Sequence, residues 1–179
     1  MAYTKKCRSF LLFRFRRIDR GGILIYMKIV IASDHAGFAL KGFLVNSLRD
    51  LDFDVIDLGN TVYDENDDYP DYIKMVGEYI SEHNNPKQYR GIVIGGSGQG
   101  ENICANKYQN VRSALIYGND TGLNTTIAKL SRQHNNANVI SFGARFIENE
   151  NALEALRVWL SEDFSDEERH VRRLSKLEI

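Results

Sequence analysis

Glu101 is the residue of this chain best placed to do chemistry. It closes the run Ile92-Val93-Ile94-Gly95-Gly96-Ser97-Gly98-Gln99-Gly100-Glu101, which reads as a buried strand, a glycine turn and a helix start. Gly96, Gly98 and Gly100 carry no side chain, so a ligand can approach backbone N–H groups there. The helix start adds N–H donors and a positive dipole end, which favour an anion. A carboxylate beside such a loop sets a base next to an oxyanion-stabilising surface, as enediolate chemistry requires. The run is not a P-loop, because no Gly-Lys-Ser/Thr follows it. Its G-x-G-x-G spacing after the third strand pattern also departs from the dinucleotide fingerprint. The bland alternative is a glycine turn that only packs a helix on a strand.

The elements that must position this loop alternate along the chain. Lys28–Ala32 is a short apolar run, and Leu40, Leu44, Leu48 and Leu51 follow at helical spacing. Phe53–Leu58 predicts a second strand ended by Gly59-Asn60, then a polar loop over Thr61–Tyr69. Pro70 and Asp71 open a helix with Ile73, Val76 and Ile80 on its apolar face. Arg90–Ile94 is the third strand, with a helix from about Gly100 to Lys107. Val111–Tyr117 predicts the fourth strand, Leu123, Ile127 and Leu130 the apolar face of the next helix, and Asn138–Phe142 the fifth strand. Leu153, Leu156 and Leu160 mark another helix beside Trp159, and Ser165-Asp166-Glu167-Glu168 reads as a capping box opening a last one. This alternation predicts an α/β fold, a doubly wound, Rossmann-like five-stranded parallel sheet with helices on both faces. Ligands then sit beyond the C-terminal strand ends, where Ser33–Gly37, Gly95–Glu101, Tyr117–Asp120 and Gly143–Arg145 gather on one rim.

Composition bounds the function. The chain has 179 residues, 43% hydrophobic and 26% charged, as expected for one globular domain rather than a disordered or fibrous chain. No apolar run approaches a membrane span. Cys7 and Cys104 cannot make a disulfide framework, and a reducing compartment fits. Residues 1–26 hold seven Lys/Arg and one acid, a net +6, whereas residues 27–179 are net −7. The first segment is therefore expected to be a basic extension outside the fold, with the single domain over 27–179. It reads either as a leader or as sequence upstream of a true start at Met27, whose Met27-Lys28-Ile29-Val30-Ile31 opens the first strand. A nucleic-acid role is disfavoured, because no aromatic interleaving accompanies the bases.

Taken together, Ser33-Asp34-His35-Ala36-Gly37, Gly95–Glu101, Ala105-Asn106-Lys107, Ser131-Arg132-Gln133-His134-Asn135-Asn136 and Arg169-His170-Val171-Arg172-Arg173 resemble the ribose-5-phosphate isomerase B family, which includes galactose-6-phosphate isomerase subunits. The resemblance runs from Met27 to near the C-terminus. It implies a cytoplasmic enzyme of the pentose phosphate pathway that isomerises a phosphorylated sugar without cofactor or metal, as a homodimer or dimer of dimers. Some members carry a catalytic Cys where this chain has Gly95; others use a Glu at the position of Glu101, and this chain matches that branch. Cys104, one turn into the helix, is expected to be packed.

The resemblance makes Glu101 the proton-transfer base; the alternative is a carboxylate favourably placed in a first helical turn. Ser97 resembles the hydroxyl on the reacting oxygens, or is a turn residue bonding its own backbone. Backbone N–H groups around Gly96, Gly98 and Gly100 would hold the oxyanion. His134 resembles the ring-opening acid/base, for which an imidazole suits neutral pH, or it only stabilises a helix C-terminus. Asn135 and Asp34 would contact sugar oxygens, and His35 the phosphate or sugar end. Arg169 and Arg173, spaced i, i+4, can face one anion from one helix. The alternative is a solvated face paired with Asp166, Glu167 or Glu168. The resemblance makes them phosphate ligands with Arg145, the C-terminal helix being packed on or exchanged with a dimer partner.

The expected activity is interconversion of ribose 5-phosphate and ribulose 5-phosphate. The alternatives are a six-carbon substrate, of the allose or galactose 6-phosphate type, and a non-catalytic sugar-phosphate-binding regulator.

Overall fold

The computed structural model describes residues 16–18 and 24–177, with side chains from Met27 onward. The strands β1 (Arg16–Ile18) and β2 (Leu24–Tyr26) pair antiparallel as a ribbon separate from the main sheet. The rest of the extension expected over residues 1–26 lies outside the described residues. From Lys28 the order is β3 (Lys28–Ser33), α1 (Phe38–Asp50), β4 (Asp54–Asp57), α2 (Tyr69–Glu82), β5 (Tyr89–Gly95), α3 (Gln99–Ala105) and β6 (Ser113–Ile116). Then follow α4 (Thr121–Asn135), β7 (Val139–Gly143), α5 (Asn149–Ser161) and α6 (Glu168–Leu174). The sheet order is β4-β3-β5-β7-β6, and every pair is parallel.

Period-two alternation sorts the strand side chains into two cores. Ile29, Ile31, Ile92, Ile94, Ile140 and Phe142 face α1 and α5, meeting Leu44, Leu48, Leu156 and Trp159. Val30, Ala32, Val93 and Val139 face the other way, against Ile73, Val76 and Ile80 of α2 and Ala105 of α3. The doubly wound parallel sheet expected from the alternating pattern is thus the fold observed.

Three local expectations are corrected. Val111–Tyr117 is a strand only over Ser113–Ile116, at the sheet edge, where one neighbour limits the pairing. The apolar face of α4 does not carry Leu123 and Leu130 inward: they are 54% and 40% exposed. Asn124, Ala128, Ser131 and Arg132 face in instead, because Asn124 Nδ2 donates to the Gly118 carbonyl and Arg132 reaches the end of α5. The Ser165–Glu168 capping box does not form. Asp166 lies at φ 54, which breaks the path a helix would take, and α6 begins at Glu168. Ser165 Oγ instead accepts from Glu167 N–H and bonds His170 Nδ1 at 2.8 Å.

Two buried arginines tie the far end of the sheet to α5. Arg90 donates to the carbonyls of Trp159 and Leu160, and its guanidinium lies 5.1 Å from the Trp159 ring centroid. Arg132 donates to the carbonyls of Ala137 and Glu162, and burial pulls its pKa down to about 10. Both cations meet the carbonyl end of a helix, where the dipole favours positive charge.

Candidate active site

The C-terminal rim is built from strand ends. β5 ends at Gly95, and Gly98, at φ 72, turns the chain into α3. Such a φ is strained for a residue with a Cβ. The first turn of α3 carries Glu101 back over the strand end, where its carboxylate is buried. A Cβ on Gly95 would collide with that carboxylate. Gly95 and Glu101 therefore form a matched pair: the missing side chain is the space the carboxylate fills. Oε2 of Glu101 has no hydrogen-bond partner among the described residues. Burial raises its pKa, opposed by its own backbone N–H and helped by the charge of Asp34. A carboxylate in that state is a stronger base than an exposed one.

Gly95→Ala is expected to evict the carboxylate and lower kcat at least about tenfold while Glu101 stays in the chain, because misplacing a reacting group is costly. Steady-state kinetics on the purified variant checks this; an unchanged kcat refutes the pairing.

Other residues converge on this rim. Ser97 Oγ accepts from Gln99 N–H at 3.2 Å, so it makes the turn contact, yet its own hydroxyl hydrogen remains to be donated. Asp34 caps the short turn His35–Gly37 by accepting from Gly37 N–H. The Arg145 guanidinium packs over Gly96, 3.1 Å from where a Cβ would sit. His35 Nδ1 lies 2.7 Å from Asp67 Oδ1, a hydrogen bond that raises the pKa of His35.

Ligand atoms of Asp34, His35 and Asp67 lie within 4.8 Å of one another, the spacing a metal ion could span. Within the trio, His35 Nδ1 and Asp67 Oδ1 are hydrogen-bonded to each other, and Asp34 accepts from Gly37 N–H.

The loop between β4 and α2 also reaches the rim, and sequence reasoning left its residues without roles. Asp67 binds His35, Asn60 binds Asp67, and the Tyr69 ring lies against Gly100. The missed signal was topological: Gly59-Asn60 follows a strand end, the same criterion that selected the other rim segments.

A second group lies elsewhere. α4 runs back to the N-terminal edge of the sheet, where Gly91 N–H donates to the Asn138 carbonyl and Arg112 Nε to the Asn136 carbonyl. His134 and Asn135, in the last turn of α4, are therefore at that edge. β5 from Gly91 to Gly95, about 13 Å long, separates them from Glu101. His134 packs on His170 of α6, with ring centroids 4.4 Å apart, which brings Arg169 and Arg173 to the same end. His170 is buried, and its pKa is lowered first by that burial and then by His134 and Arg169. Arg169 donates to the exposed Glu167 at 2.8 Å, the pairing the sequence left open. One chain thus brings Asp34, His35, Gly96, Ser97, Gly98, Gly100, Glu101 and Arg145 together. It holds His134, Asn135, Arg169 and Arg173 apart from them, so Arg145 and the two helix arginines do not meet within one chain.

Comparison with known proteins places this architecture. The ribose/galactose isomerase family matches residues 29–177. A probable ribose-5-phosphate isomerase B of Mycoplasma genitalium is 37% identical over 149 residues, 83% of this chain and 92% of that protein. The ribose-5-phosphate isomerase B of Mycobacterium tuberculosis H37Rv is 35% identical over 152 residues, 84% and 88% of the two chains. Among solved structures, the Mycoplasma genitalium ribose-5-phosphate isomerase B with bound ribulose-5-phosphate superposes with a TM-score of 0.78 at 35% identity, covering 86% of this chain and 95% of that one. The Thermotoga maritima ribose 5-phosphate isomerase gives 0.76 at 37% identity, covering 85% and 97%. The matched span takes in every strand of the five-stranded sheet, the glycine loop with Glu101 and both separated residue groups, and this chain belongs to the ribose/galactose isomerase family.

Proposed function

We propose that this chain is an aldose–ketose isomerase that interconverts ribose 5-phosphate and ribulose 5-phosphate through an enediolate. The observation that carries the reading is the buried Glu101 carboxylate beside the glycine loop, with Oε2 unpartnered among the described residues. The relatives' names and the ribulose-5-phosphate in the Mycoplasma genitalium structure support the five-carbon substrate. Glu101 removes the proton from C2 of the aldose and returns it to C1. The oxidation states of C1 and C2 exchange within one molecule, so the step needs no external electron carrier. Ser97 and the backbone N–H groups of Gly96–Gly100 hold the enediolate oxygens. Asp34 engages a sugar oxygen.

The remaining groups come from a second copy. A homodimer, alone or as half of a dimer of dimers, sets the His134 end of one chain over the Glu101 rim of the other. His134 of the partner subunit then moves the proton that opens the furanose ring, and Asn135 of the partner subunit binds hydroxyls. Arg169 and Arg173 of the partner subunit clamp the phosphate beside Arg145 and His35. Exposed Tyr117, Leu123, Leu130 and Phe146 supply apolar surface for such an interface. Among the described residues no helix is long and apolar enough to cross a membrane, and a cytoplasmic place in the pentose phosphate pathway fits the activity.

A coupled assay over pentose 5-phosphates and hexose 6-phosphates tests the reading. Ribose 5-phosphate should have the highest kcat/KM. Preference for allose or galactose 6-phosphate would change the substrate, and tight binding without turnover would make the chain a regulator.

Residues 1–26 stand outside the catalytic domain in this reading. A chain starting at Met27 should assemble and turn over like the full one, as checked by light scattering and kinetics; loss of either would refute it.

A further inference from the structure

Asp67 is committed entirely inward. Its side chain is 4% exposed, against 26% for that of His35. Oδ1 accepts from the His35 backbone N–H at 3.0 Å and lies 2.7 Å from His35 Nδ1. Oδ2 accepts from Asn60 Nδ2 at 2.7 Å. Asn60 is anchored in turn, because Lys41 Nζ donates to its carbonyl at 2.8 Å. Lys41 is itself buried and bridges both oxygens of Asp57 at 2.7 Å. The carboxylate is thus rooted in β3, β4 and α1, and can act on the rim only through His35.

That geometry assigns the imidazole hydrogens. An ionised carboxylate only accepts, so the nitrogen facing Asp67 is the one that carries hydrogen. Nε2 is then the nitrogen left for another partner, on a ring that feels the charges of both Asp34 and Arg145.

We propose that Asp67 is a positioning residue: by holding Nδ1–H it keeps His35 a cation whose Nε2–H grips an anionic oxygen of the substrate phosphate. The inference rests on the isomerase reading for the identity of that anion. The groups facing His35 are Asp67, Asp34, Arg145 and the Tyr63 ring, which meets it edge-on at 6.4 Å. The bond to Asp67 is the largest influence and favours the charged ring; burial opposes it, Asp34 adds to it and Arg145 subtracts. The charged form, and the phosphate grip with it, is present below the raised pKa of His35 and lost as pH rises through it.

Asp67→Asn preserves shape and an acceptor but removes the charge. The ring of His35 is titrated by NMR in the full-length protein and in the variant. The midpoint should move to lower pH in Asp67→Asn and stay in place in Asp71→Asn, a control at an exposed acid on α2. An unmoved midpoint in Asp67→Asn overturns the proposal. Inorganic phosphate binding is followed by calorimetry across the neutral range. Affinity in Asp67→Asn should fall about tenfold at the alkaline end, the scale of one lost hydrogen bond to a charged group, and recover as pH is lowered. Equal weakening at every pH would show a merely structural role and overturn it. If Asp67→Asn does not fold, Asn60→Ala removes one anchor of the carboxylate and should move the midpoint in the same direction; no movement overturns the proposal. These readouts need no turnover. A chain that passes them but leaves ribose 5-phosphate unchanged loses the isomerase reading and keeps this one.

Discussion

Glu101→Gln should lower kcat at least about a hundredfold, the low end of what a positioned general base contributes. KM should change little, because the amide keeps the shape and volume that fill the space beside Gly95. The pH profile carries a second signature. Burial raises the pKa of Glu101, and the base works only when ionised. Activity should therefore be full above that raised pKa and fall as pH drops through it, on a limb lying above the ordinary carboxylate range. Cys104→Ser is the counter-test. Burial first, and then the neighbouring Glu101, raise the pKa of the Cys104 thiol, which keeps it protonated and weakly nucleophilic. That variant should be nearly silent. Inactivation by alkylation at Cys104, with Glu101→Gln still active, would reverse the assignment.

Mixing two inactive variants should restore activity. Glu101→Gln damages the rim of its own chain, and His134→Ala damages the far end. In a shared-site dimer each mixed pair has one doubly damaged site and one intact site. Random exchange makes half of the dimers mixed, so recovery should approach about a quarter of the wild-type rate. Subunit exchange is confirmed separately by mass spectrometry of tagged chains. Exchange without recovery would mean that each chain closes its own site, against the separation along β5.

The order of elements was legible because each strand is short, apolar and followed by helical spacing. Ile29–Ala32 and Ile92–Ile94 are buried on both faces, and such runs announce themselves. Misread positions lie where tertiary neighbours overrule periodicity. Leu123 and Leu130 look like a core stripe, yet Asn124 and Arg132 take the inward face because a turn carbonyl and the end of α5 need donors. Ser165 has the residues of a capping box around it, yet Asp166 turns the backbone away and Ser165 serves His170 instead.

For the site, the division is sharper. The sequence by itself determined the family through its ordered motifs, singled out a carboxylate at a glycine loop as the candidate base, and pointed to the rim through the rule that ligands sit at strand ends. Residue order carries no distance, however. Glu101 and His134 both read as site residues, and only the fold shows that a helix returning along the sheet leaves His134 at the opposite edge. The partnership of Gly95 and Glu101 is likewise invisible to spacing, because it is a competition for one volume. Asp67 looked like one acid among several in a polar loop. Only three-dimensional placement, with both carboxylate oxygens engaged at 2.7 Å, distinguishes it from its solvated neighbours.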